Sequence, residues 1–417
     1  MQTALSPEFQ RTDDGRLAEQ ILRKCVHCGF CLATCPTYQL LGNELDSPRG
    51  RIYLIKQVLE GKEPTRATQQ HLDRCLTCRN CETTCPSGVD YGRLVDIGRR
   101  TVEARVRRPW RQRLLRWLLR EGLTSAWFGH AVSVGSFFRP MLPAALASKL
   151  PRRTQPVPPL SAEEQSERVL LLAGCVQPAL LPTINAATIR VLASLGIQTV
   201  IAPDAGCCGA IREHGADHGG ALDDMRRNID AWWPLVSGAD GAAPVRAIVV
   251  NASGCGVTVK EYGHLLARDA RYAHKASVIS ACARDLAEFL EPYAARLQPR
   301  VEPKARGLAV HLPCTLQHGQ RLPDLLPRLL RDMGFAVALA PESHLCCGSA
   351  GTYSVLEPEL ATRLRDRKLG HLHALQLPRI VSANVGCILH LQGGTALPVR
   401  HWIEVIDEAM VGSMAGG

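Results

Sequence analysis

Sulfur dominates the chemistry available to this chain. Eight cysteines fall in two matching runs: CVHCGFCLATCP holds Cys25, Cys28, Cys31 and Cys35, and CLTCRNCETTCP holds Cys75, Cys78, Cys81 and Cys85. Both fit C-x2-C-x2-C-x3-C-P. In that pattern three thiolates converge on one iron–sulfur cube and the fourth is carried away to ligate the other cluster. The spacing therefore assigns Cys25, Cys28, Cys31 and Cys85 to one [4Fe–4S] cluster, and Cys75, Cys78, Cys81 and Cys35 to a second. Structural zinc also uses thiolate tetrads, but it usually pairs two CxxC units across a longer gap and does not need C-x3-C-P. Pro36 and Pro86 end each turn without a competing N–H, and Gly29 permits close backbone approach to an inorganic sulfide. His27 reads either as a donor that tunes a cluster or as exposed polar filler.

A second set of cysteines belongs to an internal repeat. RVLLLAGC (168–175) and GLAVHLPC (307–314) are apolar strands ending in cysteine, and the step from that cysteine to a Cys-Cys-Gly turn is 32 positions in both, Cys175 to Cys207 and Cys314 to Cys346. Each unit closes on a further strand and a Gly-Cys turn, AIVVNASGC (247–255) and RIVSANVGC (379–387). Cys207 with Cys208, or Cys346 with Cys347, offers two thiols at one loop, which Cys175 and Cys255, or Cys314 and Cys387, complete as a site for an additional cluster. The alternative is buried free cysteine. Cys282 lies outside the pattern and reads as core. His311, His318, His344 and His390 fall near the second set, as proton carriers or ligands on one reading and as structural residues on the other.

The elements that must position these residues follow from periodicity. In RGRIYLIKQVLEG, Ile52, Leu54, Ile55, Val58 and Leu59 recur at helical spacing, with Gly61 as a cap. Strands alternating with helices in the repeat imply parallel sheets with ligands beyond the strand ends. The expected fold is α + α/β: a two-cluster unit over 1–100, a basic helical and proline-rich linker over 101–166, and α/β repeats over 167–300 and 301–417.

Composition narrows the function. The chain has 417 residues, 46% hydrophobic and 5% aromatic, which suits a soluble globular protein of two or three units. Seventeen cysteines and a polar, acid-bearing start argue for a reducing cytosol, where clustered thiols bind metals rather than pair as disulfides. The longest charge-free run, Val169 to Ile189, is broken by Pro178 and Pro182 and does not read as a membrane span. Of the formal charge of +10, residues 93–121 carry ten arginines against Asp96, Glu103 and Glu121, +7 by subtraction. Within them Leu114, Leu115, Trp117, Leu118 and Leu119 sit among Arg111, Arg113, Arg116 and Arg120, either a peripheral membrane contact or an interdomain or subunit-contact helix. No nucleic-acid motif, GxGxxG after a strand, Walker A loop or nucleophile elbow is present. Hydride removal needs a two-electron acceptor, so one-electron clusters imply a flavin in a partner subunit and no catalytic residue in this chain.

The stretches CVHCGFCLATCPTYQLLGNELDSPRGRIYLIKQVLEG, CLTCRNCETTCPSGVDY, NIDAWWP, HLPCTLQHGQRLP and HLCCGSAGTY resemble the iron–sulfur subunit of bacterial glycolate oxidase. The likeness covers nearly the whole chain and is weakest from about 105 to 165. It implies an all-helical ferredoxin fold for the first unit and a complex with an FAD-linked catalytic subunit and a second FAD-binding subunit. It also implies oxidation of glycolate or D-lactate and a quinone-type acceptor at the cytoplasmic side of the inner membrane. The repeat is similar to the cysteine-rich CCG domain of heterodisulfide reductase, whose fuller pattern ends Cys-x-x-Cys; here Ala252 and Asn384 stand at the first of those positions. Alternative readings are the iron–sulfur subunit of anaerobic glycerol-3-phosphate dehydrogenase, a heterodisulfide-reductase-like thiol/disulfide enzyme, and a redox sensor, the last weakened by the lack of a DNA-binding helix pair.

Overall fold

Ser and Thr caps organise the N-terminal region. Thr12 Oγ1 accepts from Gly15 N at 3.0 Å to start helix Asp13–Lys24, and Ser47 Oγ accepts from Gly50 N at 3.0 Å to start helix Pro48–Leu59. Ile52, Ile55, Val58 and Leu59 bury one stripe of the second helix against Ile21 and Leu22 of the first and against Leu94, Val95 and Ile97 of helix Tyr91–Arg105. The computed structural model describes residues 1–125, 127–137, 167–297 and 307–411, and the proline-rich stretch with the boundaries expected near 160 and 300 lies outside them. All described elements before residue 138 are helices. Helix Tyr91–Arg105 runs past position 100, and Val102 and Val106 belong to the N-terminal core.

Each repeat is a parallel sheet wrapped by helices. The first has β1 (Glu167–Leu171), β2 (Ile197–Val200), β3 (Ile248–Val250) and β4 (Ala283–Asp285), in the order β2-β1-β3-β4. The second has β5 (Gly307–Val310), β6 (Ala336–Leu339), β7 (Ile380–Ser382) and β8 (Val399–His401), in the order β6-β5-β7-β8. The registers correspond, Glu167 opposite Ile197 in one and Gly307 opposite Ala336 in the other. The fourth strands, β4 and β8, have no counterpart in the repeat pattern of the sequence. They are three residues long and carry Arg284 and Arg400, so only pairing with β3 and β7 makes them strands.

The two sheets share one core, in which Val169, Leu171 and Val249 pack in the same cluster as Leu308, Val310, Trp402 and Ile406. Polar links close the seam: Ser253 N donates to Ala383 O at 3.0 Å, and the His401 ring nitrogen Nε2 lies 2.9 Å from Asn251 O. No described helix is long and apolar enough to cross a membrane.

Candidate metal centres

The two cysteine runs fold into the same backbone shape. His27 and Thr77 have φ of 56° and 51°, and Gly29 and Arg79 have φ of 87° and 59°. A Cβ at Gly29 would lie 2.9 Å from Arg49 Nη1, which makes glycine the fitting residue there. Arg79 adopts the same left-handed conformation because its side chain is anchored, forming a two-contact ion pair with Glu261 of the first repeat.

One cavity is lined by Cys25, Cys28, Cys31 and Cys85, together with Cys81, His27 and Phe30. A second is lined by Cys35, Cys75, Cys78 and Cys81, with Arg51 and Tyr91 in its wall. The fourth cysteine of each run thus lies with the first three of the other. The first cavity is the more open. Cys28 is exposed, and Val26 and Phe30 present 67% and 62% of their surface to solvent. Burial pushes the Cys31 thiol up to about 11. His27 Nε2 is buried without a partner, and burial followed by the charge of Arg49 lowers the pKa of its ring.

The second cavity is deeper and electropositive. Burial opposes ionisation of Cys75, but the Arg51 and Arg99 guanidiniums outweigh it and hold the thiol below its ordinary range. Arg51 is 1% exposed; it reaches Thr37 Oγ1 at 3.1 Å, Cys35 Sγ at 4.0 Å and the Asp46 carboxylate at 3.5 Å. Tyr91 OH donates to Cys75 Sγ at 3.5 Å. Burial raises Cys78 and Cys81 well above the usual thiol range, and the neighbouring Cys314 adds to the effect at Cys78.

Each repeat brings its four cysteines into one chain of thiol contacts. In the first, Cys175 touches Cys207, Cys207 touches Cys208, and Cys208 touches Cys255. Hydrogen bonds from Cys175 and Cys208 hold Cys207 below the ordinary thiol range despite burial. In the second, Cys314 Sγ lies 3.8 Å from Cys346 Sγ, and Cys347 touches both Cys346 and Cys387. The glycine after the second pair, Gly348, has φ of 91° and packs so tightly that a Cβ would sit 2.6 Å from Ala361 O. Cys255 and Cys387 lie in the first turns of helices Ser253–Lys260 and Val385–Gln392 rather than in free turns. Asn384 Nδ2 donates to Cys387 Sγ at 3.5 Å, so this residue supports a thiol instead of adding one.

The flagged histidines separate by their partners. His318 uses both nitrogens, Nδ1 with Thr83 Oγ1 at 2.9 Å and Nε2 with His344 O at 2.9 Å. His390 Nε2 meets Ala361 O at 3.0 Å, and His344 accepts at its backbone oxygen from Asn80 Nδ2 at 3.1 Å. These three serve docking and packing. His311 differs: Nδ1 is 2.9 Å from Ser382 Oγ, while buried Nε2 has no partner. Cys282 is half-buried at the end of helix Ala273–Cys282 and packs against the first repeat's core, away from the thiol chain. Sequence reading missed Arg51, Tyr91 and Asn80. Arg51 did leave a signal, a charge at the register of the apolar stripe of its helix.

Residues 21–89 match the 4Fe–4S dicluster domain family, and residues 169–260 and 308–392 match the cysteine-rich domain family. The chain is 51% identical to the glycolate oxidase iron–sulfur subunit of Escherichia coli (strain K12), covering 98% of this chain and 99% of that protein. It is 30% identical to a probable glycolate oxidase iron–sulfur subunit of Bacillus subtilis (strain 168), covering 93% and 92% of the two chains. Lactate utilization protein A of Geobacillus kaustophilus matches at 24% over 58% of this chain and 98% of its own length. The chain belongs to the family of glycolate oxidase iron–sulfur subunits.

Proposed function

We propose that this chain is the electron-transfer subunit of a flavin-dependent glycolate or D-lactate dehydrogenase, holding two [4Fe–4S] clusters with Cys25, Cys28, Cys31 and Cys85 around one and Cys75, Cys78, Cys81 and Cys35 around the other. The observation that carries this reading is the crossed lining of two neighbouring cavities by the two runs. When bound, the clusters supply one-electron acceptors and donors. The thiol donors and the charge around them fit such groups. Arg51 and Arg99 offset thiolate charge at the inner site, while Tyr91 donates to Cys75 Sγ. The exposed Val26 and Phe30 rim gives the outer site an apolar face on which an FAD-linked subunit docks.

The thiol chain of the first repeat, all sulfur, is the candidate for an additional iron–sulfur cluster. A second FAD-binding subunit and a quinone-type acceptor complete the proposed complex. Peripheral attachment at the cytoplasmic face of the inner membrane is assigned to helix Trp110–Thr124, whose Trp110, Leu114, Trp117 and Leu118 are exposed beside Arg111 and Arg113. The pure chain, free of flavin, is expected to show no glycolate-dependent dye reduction until its flavoprotein partner is added. Turnover by the chain alone would refute the assignment. Anaerobic iron analysis is expected to give about eight irons per chain from the paired runs and about twelve with one further four-iron cluster.

A further inference from the structure

We propose that the second repeat holds a single metal ion of the zinc class, ligated by His311 Nε2, Cys347 and Cys387. The inference rests on reading the repeat thiols as metal ligands and does not depend on the iron of the N-terminal sites.

A nitrogen of His311 and the sulfurs of Cys347 and Cys387 all lie within 4.8 Å of one another, and all three residues are buried. Nδ1 of this ring is taken by Ser382, and Nε2 is the nitrogen without a partner. His311 is 2% exposed, so an orphaned Nε2 there loses its hydration and gains nothing unless something binds it. With Nδ1–H directed at Ser382, the Nε2 lone pair is free for a metal; a fixed second-shell partner on the other nitrogen is the usual support of a ligating histidine. Two thiolates at about 2.3 Å from one tetrahedral zinc lie about 3.8 Å apart.

The duplication supplies an internal control. Three residues before its first cysteine the first repeat has Leu172 where the second has His311, and five residues before its last cysteine it has Val250 where the second has Ser382. The imidazole and the hydroxyl that orients it therefore occur together in one repeat and are both apolar in the other. Leu172 and Val250 are buried, so the first repeat offers sulfur alone.

The test uses the full chain, purified anaerobically in its complex, with zinc and iron measured per chain and X-ray absorption recorded at the zinc edge. About one zinc per chain is expected, with sulfur and one imidazole nitrogen in its first shell. His311→Leu, which copies the first repeat, is expected to lose the nitrogen and to release zinc to a chelator about tenfold faster or more, with iron unchanged. His311→Gln serves as the polar control should the leucine variant misfold, and the same faster release is expected of it. Zinc well below one per chain, an all-sulfur shell, or unchanged release from both variants would overturn the proposal. Zinc retained in a protein whose N-terminal sites bind no iron would refute the electron-transfer reading and leave this one standing.

Discussion

The two repeats share a strand order, a register and a spacing of cysteines, yet they meet the rest of the molecule differently. The second presses its thiols against the inner N-terminal site: Cys78 and Leu76 pack in one cluster with Cys314, Cys346 and Tyr353. Asn80 Nδ2 there bridges Thr34 O at 3.0 Å and His344 O at 3.1 Å, and Tyr353 OH donates to Arg74 O at 3.2 Å. The first repeat meets the same N-terminal region through ion pairs, Arg79 with Glu261 and Arg100 with Glu213 at 3.1 Å. Duplication fixed where the thiols stand, and divergence around them decided what faces each set.

The largest effect expected is on metal content. Cys78→Ser removes a thiol from the wall that faces the second repeat, and we expect anaerobic iron to fall by about four per chain. A Cys207→Ser, Cys208→Ser variant is expected to leave those four irons in place. The double variant loses at most the four irons assigned to the first repeat, so the paramagnetic spectrum of the inner cluster tells the two apart, and its loss in both variants would mean that the repeats do not differ in their relation to the inner site. Docking comes next. Glu261→Ala strands Arg79, a part-buried cation, at the first repeat, whereas Asn80→Ala leaves two carbonyl oxygens without their donor at the second. Each is expected to cost about 2 kcal/mol, read as a lower thermal midpoint of the cluster-loaded protein. A shift confined to one variant would show that a single repeat carries the docking.

A smaller effect is expected on potential. Arg51 places a buried positive charge beside the inner thiols, and nothing equivalent is buried at the outer site, where Arg49 is half-exposed. Arg51→Met is expected to lower the potential of one cluster by about 60 mV, the equivalent of a tenfold change for a one-electron couple, and to leave the other unmoved. Redox titration followed by electron paramagnetic resonance separates the two. A uniform shift, or none, would sink the assignment of Arg51 to the inner site.

Much of this arrangement was legible in the residues. The C-x2-C-x2-C-x3-C-P runs carry their own geometry, because short gaps and a terminal proline constrain the loop whatever surrounds it. The 32-position step exposed the duplication and hence the parallel sheets. What stayed hidden depends on partners distant in sequence. Strands β4 and β8 have no pattern of their own, since three residues cannot show a period. Four histidines near the second thiol set looked alike, and only hydrogen bonding separated His311, with one nitrogen unpartnered, from His318, with none. Setting Leu172 beside His311 and Val250 beside Ser382 would have marked that pair from the sequence.

The smallest effect on the protein itself is expected at helix Trp110–Thr124, where sequence alone grouped four arginines with an apolar face. The structure divides them. Arg116 turns inward to Asp73 at 3.2 Å and Arg120 to Asp217 at 3.3 Å, while Glu121 pairs with Arg212 of the first repeat at 2.7 Å. Arg116, Arg120 and Glu121 therefore join the N-terminal unit to the first repeat, as an interdomain helix would. Trp110 at 67%, Trp117 at 51% and Leu118 at 51% stay exposed, with Arg111 and Arg113 beside them. Trp117 makes none of these inward pairs, and a glutamate there stands one turn before Glu121, so stability is expected to fall by no more than about 0.5 kcal/mol. Membrane contact is expected to suffer more, because the substitution sets a carboxylate in the apolar stripe and repels anionic headgroups. Flotation of the complex with anionic liposomes is expected to fall severalfold in the variant and to recover in Trp117→Phe. Equal flotation of all three would rule out insertion of this face and leave the exposed stripe to a partner subunit.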